Sequence, residues 1–470
     1  MDNIVLKTDS YKLNHWNQYP HGTEYVYSYF ESRSGAKWDT TVFFGLQYLI
    51  KKNLLGVVVT RAMIDEAAAL SKVHFGGDGY FNRAGWEFIL NRCGGKLPVR
   101  IKAIPEGTPV GVSNVLMTVE NTAPECFWLT NALESLLTHA WYPSTVATLS
   151  RETKKVFKAF LEKTANDHSG LSFMLHDFGY RGASSDESAE IGGAAHLLNF
   201  MGTDTVPAIK LLADYYRAEK GFDGIAYSVA ATEHSIMTSR GKEGEEQVVS
   251  DLIDAYPTGI LSVVSDSYDI YNFVDTIVGK KFKERILKRG DGARFVVRPD
   301  SVTDDHKTPD AEMVWILNSL WSNFGGTTNA KGFKVLNPKI RTLWGDGIDK
   351  EGIEKILVAA AAAGFSAENL VFGMGGGLLQ KVHRDIQRFA FKSSAQCCKG
   401  VWHDIYKSPK DASKASKKGK LKLGRRADGT FFTVPMSDVS VECQLVTVFE
   451  NGELLVDYTL EQIRKNASLP

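Results

Sequence analysis

Nine side chains that can carry charge or move a proton stand at or just beyond the ends of short apolar runs: Asp177, Arg181, Asp204, Glu233, His234, Asp266, Arg298, Asp300 and Asp346. Another run ends in Gly375-Gly376-Gly377, ahead of the amphipathic start Leu378-Leu379-Gln380-Lys381-Val382. Glycines at a helix start let backbone N–H groups approach a phosphate, whose charge the helix dipole favours. Glycines that only permit close packing are the plainer alternative. Arg181 and Arg298 suit two-pronged contact with phosphate oxygens. Several acids near such a cradle suggest Mg²⁺, held by a few carboxylates and phosphate oxygens, but their spacing names no ligand set. Glu233-His234 ends the run Tyr227-Ser228-Val229-Ala230-Ala231-Thr232. A lone histidine at a strand end is more often a hydrogen-bonded bystander. Among phosphate-binding groups, it can be a general base or a nucleophile toward phosphorus.

Other chemistries lack their motifs. There is no Gly-x-x-x-x-Gly-Lys-Ser/Thr, no Gly-x-Gly-x-x-Gly opening a first strand–helix–strand unit, no zinc spacing of Cys and His, and no Gly-x-Ser-x-Gly elbow.

The elements that must position these groups are regular from Leu171 onward. Phe173-Met174-Leu175, Leu197 to Met201, Tyr227 to Thr232, Ile260 to Val264, Phe295 to Val297, Ile340 to Trp344 and Leu370 to Phe372 read as buried strands. Amphipathic helices fill the gaps: Pro207 to Glu219, Glu245 to Tyr256, Tyr268 to Ile277, Pro309 to Phe324 and Lys350 to Ala363. Strand and helix in alternation predict a parallel sheet. Polar residues at every strand end predict an irregular seven-stranded α/β barrel with its site at the strand C-termini. In the rival open sheet they would gather at one switch point.

The flanks read differently. Tyr25 to Phe30, Val99 to Ile104 and Val115 to Val119 are strand-like, with Pro105-Glu106-Gly107 as turn chemistry. Two helices are predicted from Pro124 to Trp141 and from Pro143 to Ala165, each with proline near its first position. Between Lys410 and Arg426 there are eight basic residues and one acid, a solvated loop or a flap over polyphosphate. Strands at Thr430 to Val434, Gln444 to Phe449 and Leu454 to Tyr458 precede a helix, Thr459 to Lys465. The predicted division is a mixed portion 1–170, the barrel 171–395, and a flap and β portion 396–470. The two outer parts join in a second α+β domain.

Composition sets bounds. The chain has 470 residues, 43% hydrophobic and 23% charged, with a formal net charge of +0. Zero net charge gives no reason to expect nucleic acid or an acidic membrane as partner. Five cysteines without a Cys-x-x-Cys fit a reducing, cytoplasmic setting. The first residues lack signal-peptide character, and no window is apolar enough for a membrane span.

At this point the chain resembles the nicotinate/nicotinamide phosphoribosyltransferase superfamily, whose barrel is the type II phosphoribosyltransferase one. The motifs are Thr8-Asp9-Ser10-Tyr11-Lys12, Tyr27-Ser28-Tyr29-Phe30-Glu31, His176-Asp177-Phe178-Gly179-Tyr180-Arg181-Gly182, Gly202-Thr203-Asp204-Thr205 and Glu233-His234-Ser235. They continue through Ser262 to Asn272, Arg298-Pro299-Asp300-Ser301, Gly345-Asp346-Gly347, Gly375 to Lys381 and Ile463-Arg464-Lys465-Asn466, in order along the chain.

The resemblance implies transfer of the 5-phosphoribosyl group from phosphoribosyl pyrophosphate to nicotinamide, with Mg²⁺ as cofactor. ATP would be a co-substrate, coupled through phosphorylated His234, with Glu233 or Asp266 holding the ring. Phe178, Asp204, Arg298, Asp9 and Tyr11 are implied around the pyridine. Tyr11 would come from the other subunit, so the implied assembly is a homodimer with shared sites. Arg181, Ser228, Ser262, Asp300, Gly345, Asp346, Gly375, Gly376, Arg384 and Lys392 are implied as phosphate and ribose contacts. A carboxylate at Asp204 accepts from a carboxamide and repels a carboxylate, which favours nicotinamide over nicotinate. Two departures bear on phosphate affinity: Ala390 replaces a serine, and Met374 replaces the serine of Gly-Ser-Gly-Gly-Gly. The rival readings are a nicotinate-using enzyme and a non-catalytic binding protein on the same fold.

Overall fold

The computed structural model describes residues 3–218, 221–407 and 416–469. Seven short strands form one parallel sheet: β1 Leu175–Asp177, β2 Gly202–Thr203, β3 Ala230–Ala231, β4 Ile260–Val264, β5 Arg294–Arg298, β6 Ile340–Trp344 and β7 Leu370–Met374. Their order is β2-β1-β7-β6-β5-β4-β3. The sheet curls until its two edges meet. Gly202 bridges Tyr227, three residues before β3. Tyr227 N–H donates to the Met201 carbonyl at 2.7 Å, and Thr203 N–H donates to the Tyr227 carbonyl at 3.1 Å. The fold is therefore the irregular seven-stranded α/β barrel that the polar strand ends predict.

Burial explains why these runs are strands. Leu261, Val263, Phe295, Val297, Ile340 and Phe372 are sealed from solvent, each stabilising the fold by roughly 1.5–3 kcal/mol. The helices begin where the sequence supplies caps. Thr308 accepts from Ala311 N–H ahead of Pro309–Phe324, and Asp349 accepts from Gly352 N–H ahead of Lys350–Ala362.

Several boundaries differ from the sequence reading, for local reasons. Leu197 to Met201 is not a strand. Leu197 N–H bonds Gly193 and Phe200 N–H bonds His196, so this apolar run wraps the end of helix Asp186–His196. The strand is the expected tip itself, Gly202–Thr203. The helix expected at Tyr268 is a π-helix, Asn272–Lys281. Asp269 holds the N–H groups of Tyr271 and Asn272, turning the chain before the helix starts. Helix Trp141–Thr164 starts two residues ahead of Pro143, because a first-turn position needs no N–H partner.

A second seven-stranded sheet is antiparallel throughout. Its order is Val401–Asp404, Ala390–Cys398, Thr23–Glu31, Val115–Asn121, Val99–Ala103, Val446–Glu450, Glu453–Leu454. Both ends of the chain build it, and position 395 falls inside one of its strands. Of the basic stretch 407–426, residues 408–415 lie outside the described residues. Lys417 reaches Glu31 and Lys420 bonds Glu120 at 2.5 Å, so these two lysines are anchored. Leu421–Arg425 pairs with Phe431–Pro435.

The C-terminal helix Leu460–Ala467, closed by a Thr459–Gln462 capping box, ties the domains together. The Arg464 guanidinium donates to the carbonyls of Leu197, Gly224 and Ile225. These three carbonyls flank β2 and the turn into β3.

Candidate active site

At the C-terminal ends of β3 to β6, two carboxylates converge on His234. Nε2 of His234 lies 3.2 Å from Oδ1 of Asp266, and Nδ1 lies 3.8 Å from Oδ2 of Asp300. Asp266 is held from behind. Its Oδ2 accepts Asp300 N–H at 3.1 Å and the Ser301 hydroxyl. Burial raises the pKa of Asp346, and the charges of Asp300 and Asp266 raise it further. Arg298 donates to the Thr232 carbonyl at 2.5 Å, while its Nε is buried without a partner. The hydroxyl of Ser262, on β4, is also buried without a partner.

The expected role of Glu233 as holder of the histidine ring needs correction. Its carboxylate turns back to the Ser235 hydroxyl. The ring is held by Asp266, the alternative named with it.

A second group sits at the ends of β1 and β2. Asp204 N–H donates to the Asp177 carbonyl at 2.9 Å, which places the exposed Asp204 beside Phe178. Ser228 donates to Asp204 Oδ1 at 2.5 Å. Its hydroxyl therefore sits with Asp204, which is expected at the pyridine, although Ser228 itself is expected among the phosphate and ribose contacts. Asp177 is buried beneath this floor, accepting from Gly179 N–H at 2.7 Å and from the Thr203 hydroxyl at 3.4 Å. Burial pushes its carboxyl up to about 6, offset in part by these donors. Asp177 supports the pocket although it is absent from the contacts the resemblance implies. Its place one residue before Phe178 was the available signal.

Phe178 fits a slot that only glycine leaves open. A Cβ on Gly373 would stand 2.0 Å from its ring, and one on Gly345 would stand 3.2 Å away. Gly377 packs as tightly, with a Cβ 2.6 Å from the Ile348 carbonyl. Gly376 has nothing within 4 Å of that position. The triple glycine thus divides: one member packs, and one leaves the backbone open to a ligand.

Five implied residues make no hydrogen bond or ion pair with these mouth groups among the described residues. Tyr11 is 58% exposed and edge-on to His15. Asp9 engages Ser135. Lys392 lies in the antiparallel domain with Arg33, Arg388 and Lys407, around a cavity of about 200 Å³. Burial lowers the pKa of Lys392, and the nearby charges of Arg33, Lys407 and Arg384 lower it further. Arg181 is exposed on the turn after β1. Among the described residues no three His, Cys, Asp or Glu side chains form a ready metal cage. Nor is any helix among them long and apolar enough to cross a membrane.

Residues 173–453 match the model of the nicotinate phosphoribosyltransferase family, and residues 3–101 match that of the nicotinamide phosphoribosyltransferase N-terminal domain. The chain is 46% identical to a nicotinamide phosphoribosyltransferase of Xanthomonas campestris pv. campestris, over 99% of this chain and 98% of the relative. Its fold is similar to a nicotinate-nucleotide pyrophosphorylase of Pyrococcus furiosus, with TM-score 0.60, 16% identity and coverage of 99% and 95% of the two chains. It is also similar to human nicotinic acid phosphoribosyltransferase, with TM-score 0.56, 17% identity and coverage of 98% and 92%.

Proposed function

We propose that this chain, which belongs to the nicotinate phosphoribosyltransferase family, transfers the 5-phosphoribosyl group of phosphoribosyl pyrophosphate to nicotinamide. The products are nicotinamide mononucleotide and pyrophosphate. The observation that carries the choice of pyridine is Asp204, a carboxylate set beside Phe178 by the Asp177 carbonyl. With Oδ1 taken by Ser228, Oδ2 is open to a carboxamide N–H. The carboxylate of nicotinate would meet like charge there.

The transfer needs no proton. The pyridine nitrogen forms a bond to C1 of the ribose as the C1–O bond breaks, and that bond's electrons leave with pyrophosphate. Positive charge grows on the ribose and negative charge on the leaving group. Asp300 and Asp346 offer carboxylates to the ribose side. Arg298 and the open backbone at Gly376 suit the phosphates. Mg²⁺, when bound, would neutralise pyrophosphate. With no protein cage ready, one or two of Asp266, Asp300 and Asp346 would hold it alongside phosphate oxygens.

His234 fits the ATP-coupling role. Asp266 keeps the imidazole proton on Nε2, which leaves the Nδ1 lone pair free, since Asp300 at 3.8 Å is beyond hydrogen-bond reach. Nδ1 would form the bond to the γ-phosphorus as the bond to the ADP oxygen breaks. The basic groups Arg33, Arg388, Lys392 and Lys407 are gathered away from the carboxylate mouth. A homodimer in which one chain's basic face and Tyr11 complete the other chain's mouth accounts for that separation.

The deciding assay supplies labelled nicotinamide, phosphoribosyl pyrophosphate, Mg²⁺ and ATP. Nicotinamide mononucleotide is the expected product, and its absence refutes the proposal. With both pyridines in competition, wild type prefers nicotinamide and Asp204→Ser narrows the preference. A preference for nicotinate would overturn the assignment of Asp204.

A further inference from the structure

Among the described residues, buried guanidinium groups are answered by backbone carbonyls, with one exception. Arg289 donates to the carbonyls of Tyr256, Thr258, Gly259 and Arg294. Arg341 donates to Leu336, Asn337 and Ile340, and Arg464 to the three carbonyls described above. Arg151, on helix Trp141–Thr164, is only 8% exposed. Its Nε is sealed without a hydrogen-bond partner. Among the described residues no carboxylate pairs with it, and its sequence neighbour Glu152 is taken by Lys155 at 2.6 Å. A guanidinium with a sealed, unpaired Nε and no carboxylate partner favours an anion from outside the chain at the nitrogens that face the cleft.

What stands in front of Arg151 has room for such a group. The residue lines a cleft of about 960 Å³ between the antiparallel sheet, helix Trp141–Thr164 and the C-terminal helix. No barrel strand end lines it. Thr40 and Thr108 line it too, with hydroxyls that engage no protein group among the described residues. Arg425 adds a second guanidinium. Asp428 and Glu442 also line the cleft, both exposed, and the Thr430 hydroxyl and N–H occupy Asp428 Oδ1.

We propose that Arg151 anchors a second anion site, separate from the barrel mouth, which takes the phosphate group of a small metabolite. The guanidinium fork offers paired donors to two oxygens of one group. The two threonine hydroxyls favour a phosphate, with its extra acceptors, over a carboxylate. The size of the cleft leaves space for the remainder of the molecule.

Thermal unfolding of the full chain, with and without inorganic phosphate, tests this. The barrel mouth also attracts phosphate, so the readout is the difference between wild type and Arg151→Met. Phosphate should raise the wild-type midpoint by at least about 2 °C more than it raises the variant's. Acetate should give no such difference. Equal phosphate shifts in the two proteins overturn the proposal, and an acetate effect as large as that of phosphate overturns the choice of phosphate. Should Arg151→Met fail to fold, wild-type crystals grown in selenate carry the test. An anomalous selenium peak beside the Arg151 guanidinium is expected. A peak at the barrel mouth with none at Arg151 overturns the site.

Discussion

Asp266 holds His234 and Asp300 at once: one carboxylate oxygen lies 3.2 Å from Nε2 of the imidazole, and the other accepts the backbone N–H of Asp300 at 3.1 Å. A single side chain thus orients the imidazole and holds the loop that carries Asp300, the acid proposed above for the ribose side. The two roles can be separated experimentally. Asp266→Ala frees the ring, so ATP hydrolysis and ATP stimulation should fall by about 10²-fold or more. Transfer without ATP should fall less. Equal losses in both assays would mean that the main duty of Asp266 lies with Asp300.

The slot around Phe178 predicts a graded series. Gly373→Ala places a methyl 2.0 Å from the ring and must displace it. The KM for nicotinamide should rise at least about tenfold, which is about 1.4 kcal/mol of binding. Gly345→Ala, at 3.2 Å, should do less. Gly376→Ala meets no protein atom within 4 Å, so any rise in KM should appear for phosphoribosyl pyrophosphate and not for the pyridine. Steady-state kinetics with each substrate varied separately checks the order.

Glu106 predicts a pH dependence of stability. It is fully buried, accepting Gln47 N–H at 2.6 Å and the Tyr216 hydroxyl at 2.9 Å. Burial raises its carboxyl from 4.5 to about 7, against the pull of these donors. The folded pKa is the higher one, so folding favours the protonated form. Its contribution is complete below the unfolded value of 4.5 and is lost as pH rises to about 7. The loss is on the order of 3 kcal/mol. Urea unfolding at pH 5 and pH 8 should show Glu106→Gln losing less stability than wild type over that interval. A steeper loss in the variant would reverse the sign assigned to Glu106.

The barrel was legible because strands buried on both faces read as unbroken apolar runs, and Asp266, Asp300 and Asp346 follow such runs directly. Less legible was anything set by side-chain direction. Glu233 and His234 are adjacent in sequence, yet one faces Ser235 and the other Asp266. Ser228 and Asp204 are 24 positions apart and touch, because Tyr227 closes the barrel against Gly202. Long-range pairing was beyond the local pattern. Strand Thr23–Glu31 finds its partner in Ala390–Cys398; strand character was visible in the first of these, and no strand was expected at the second. The buried, unanswered Arg151 left no local signal, since a helix repeat reads its position and not the walls around it.

Tyr11 and His234 give the sharpest test of a shared site. Tyr11 is exposed, stands edge-on to His15 and makes no ring contact with Phe178 in its own chain. If a pyridine is sandwiched between Phe178 of one chain and Tyr11 of the other, the two residues act in each site from different chains. Tyr11→Ala and His234→Ala should each lower ATP-stimulated activity as homodimers. Unfolded and refolded together, they form mixed dimers in which one site lacks both groups and the other lacks neither. Random pairing makes half of the dimers mixed, so about a quarter of the wild-type sites should return. A site contained within one chain offers no route to that recovery, because every chain in the mixture carries a defect. Activity that stays at the sum of the two variants would therefore remove Tyr11 from the neighbouring site.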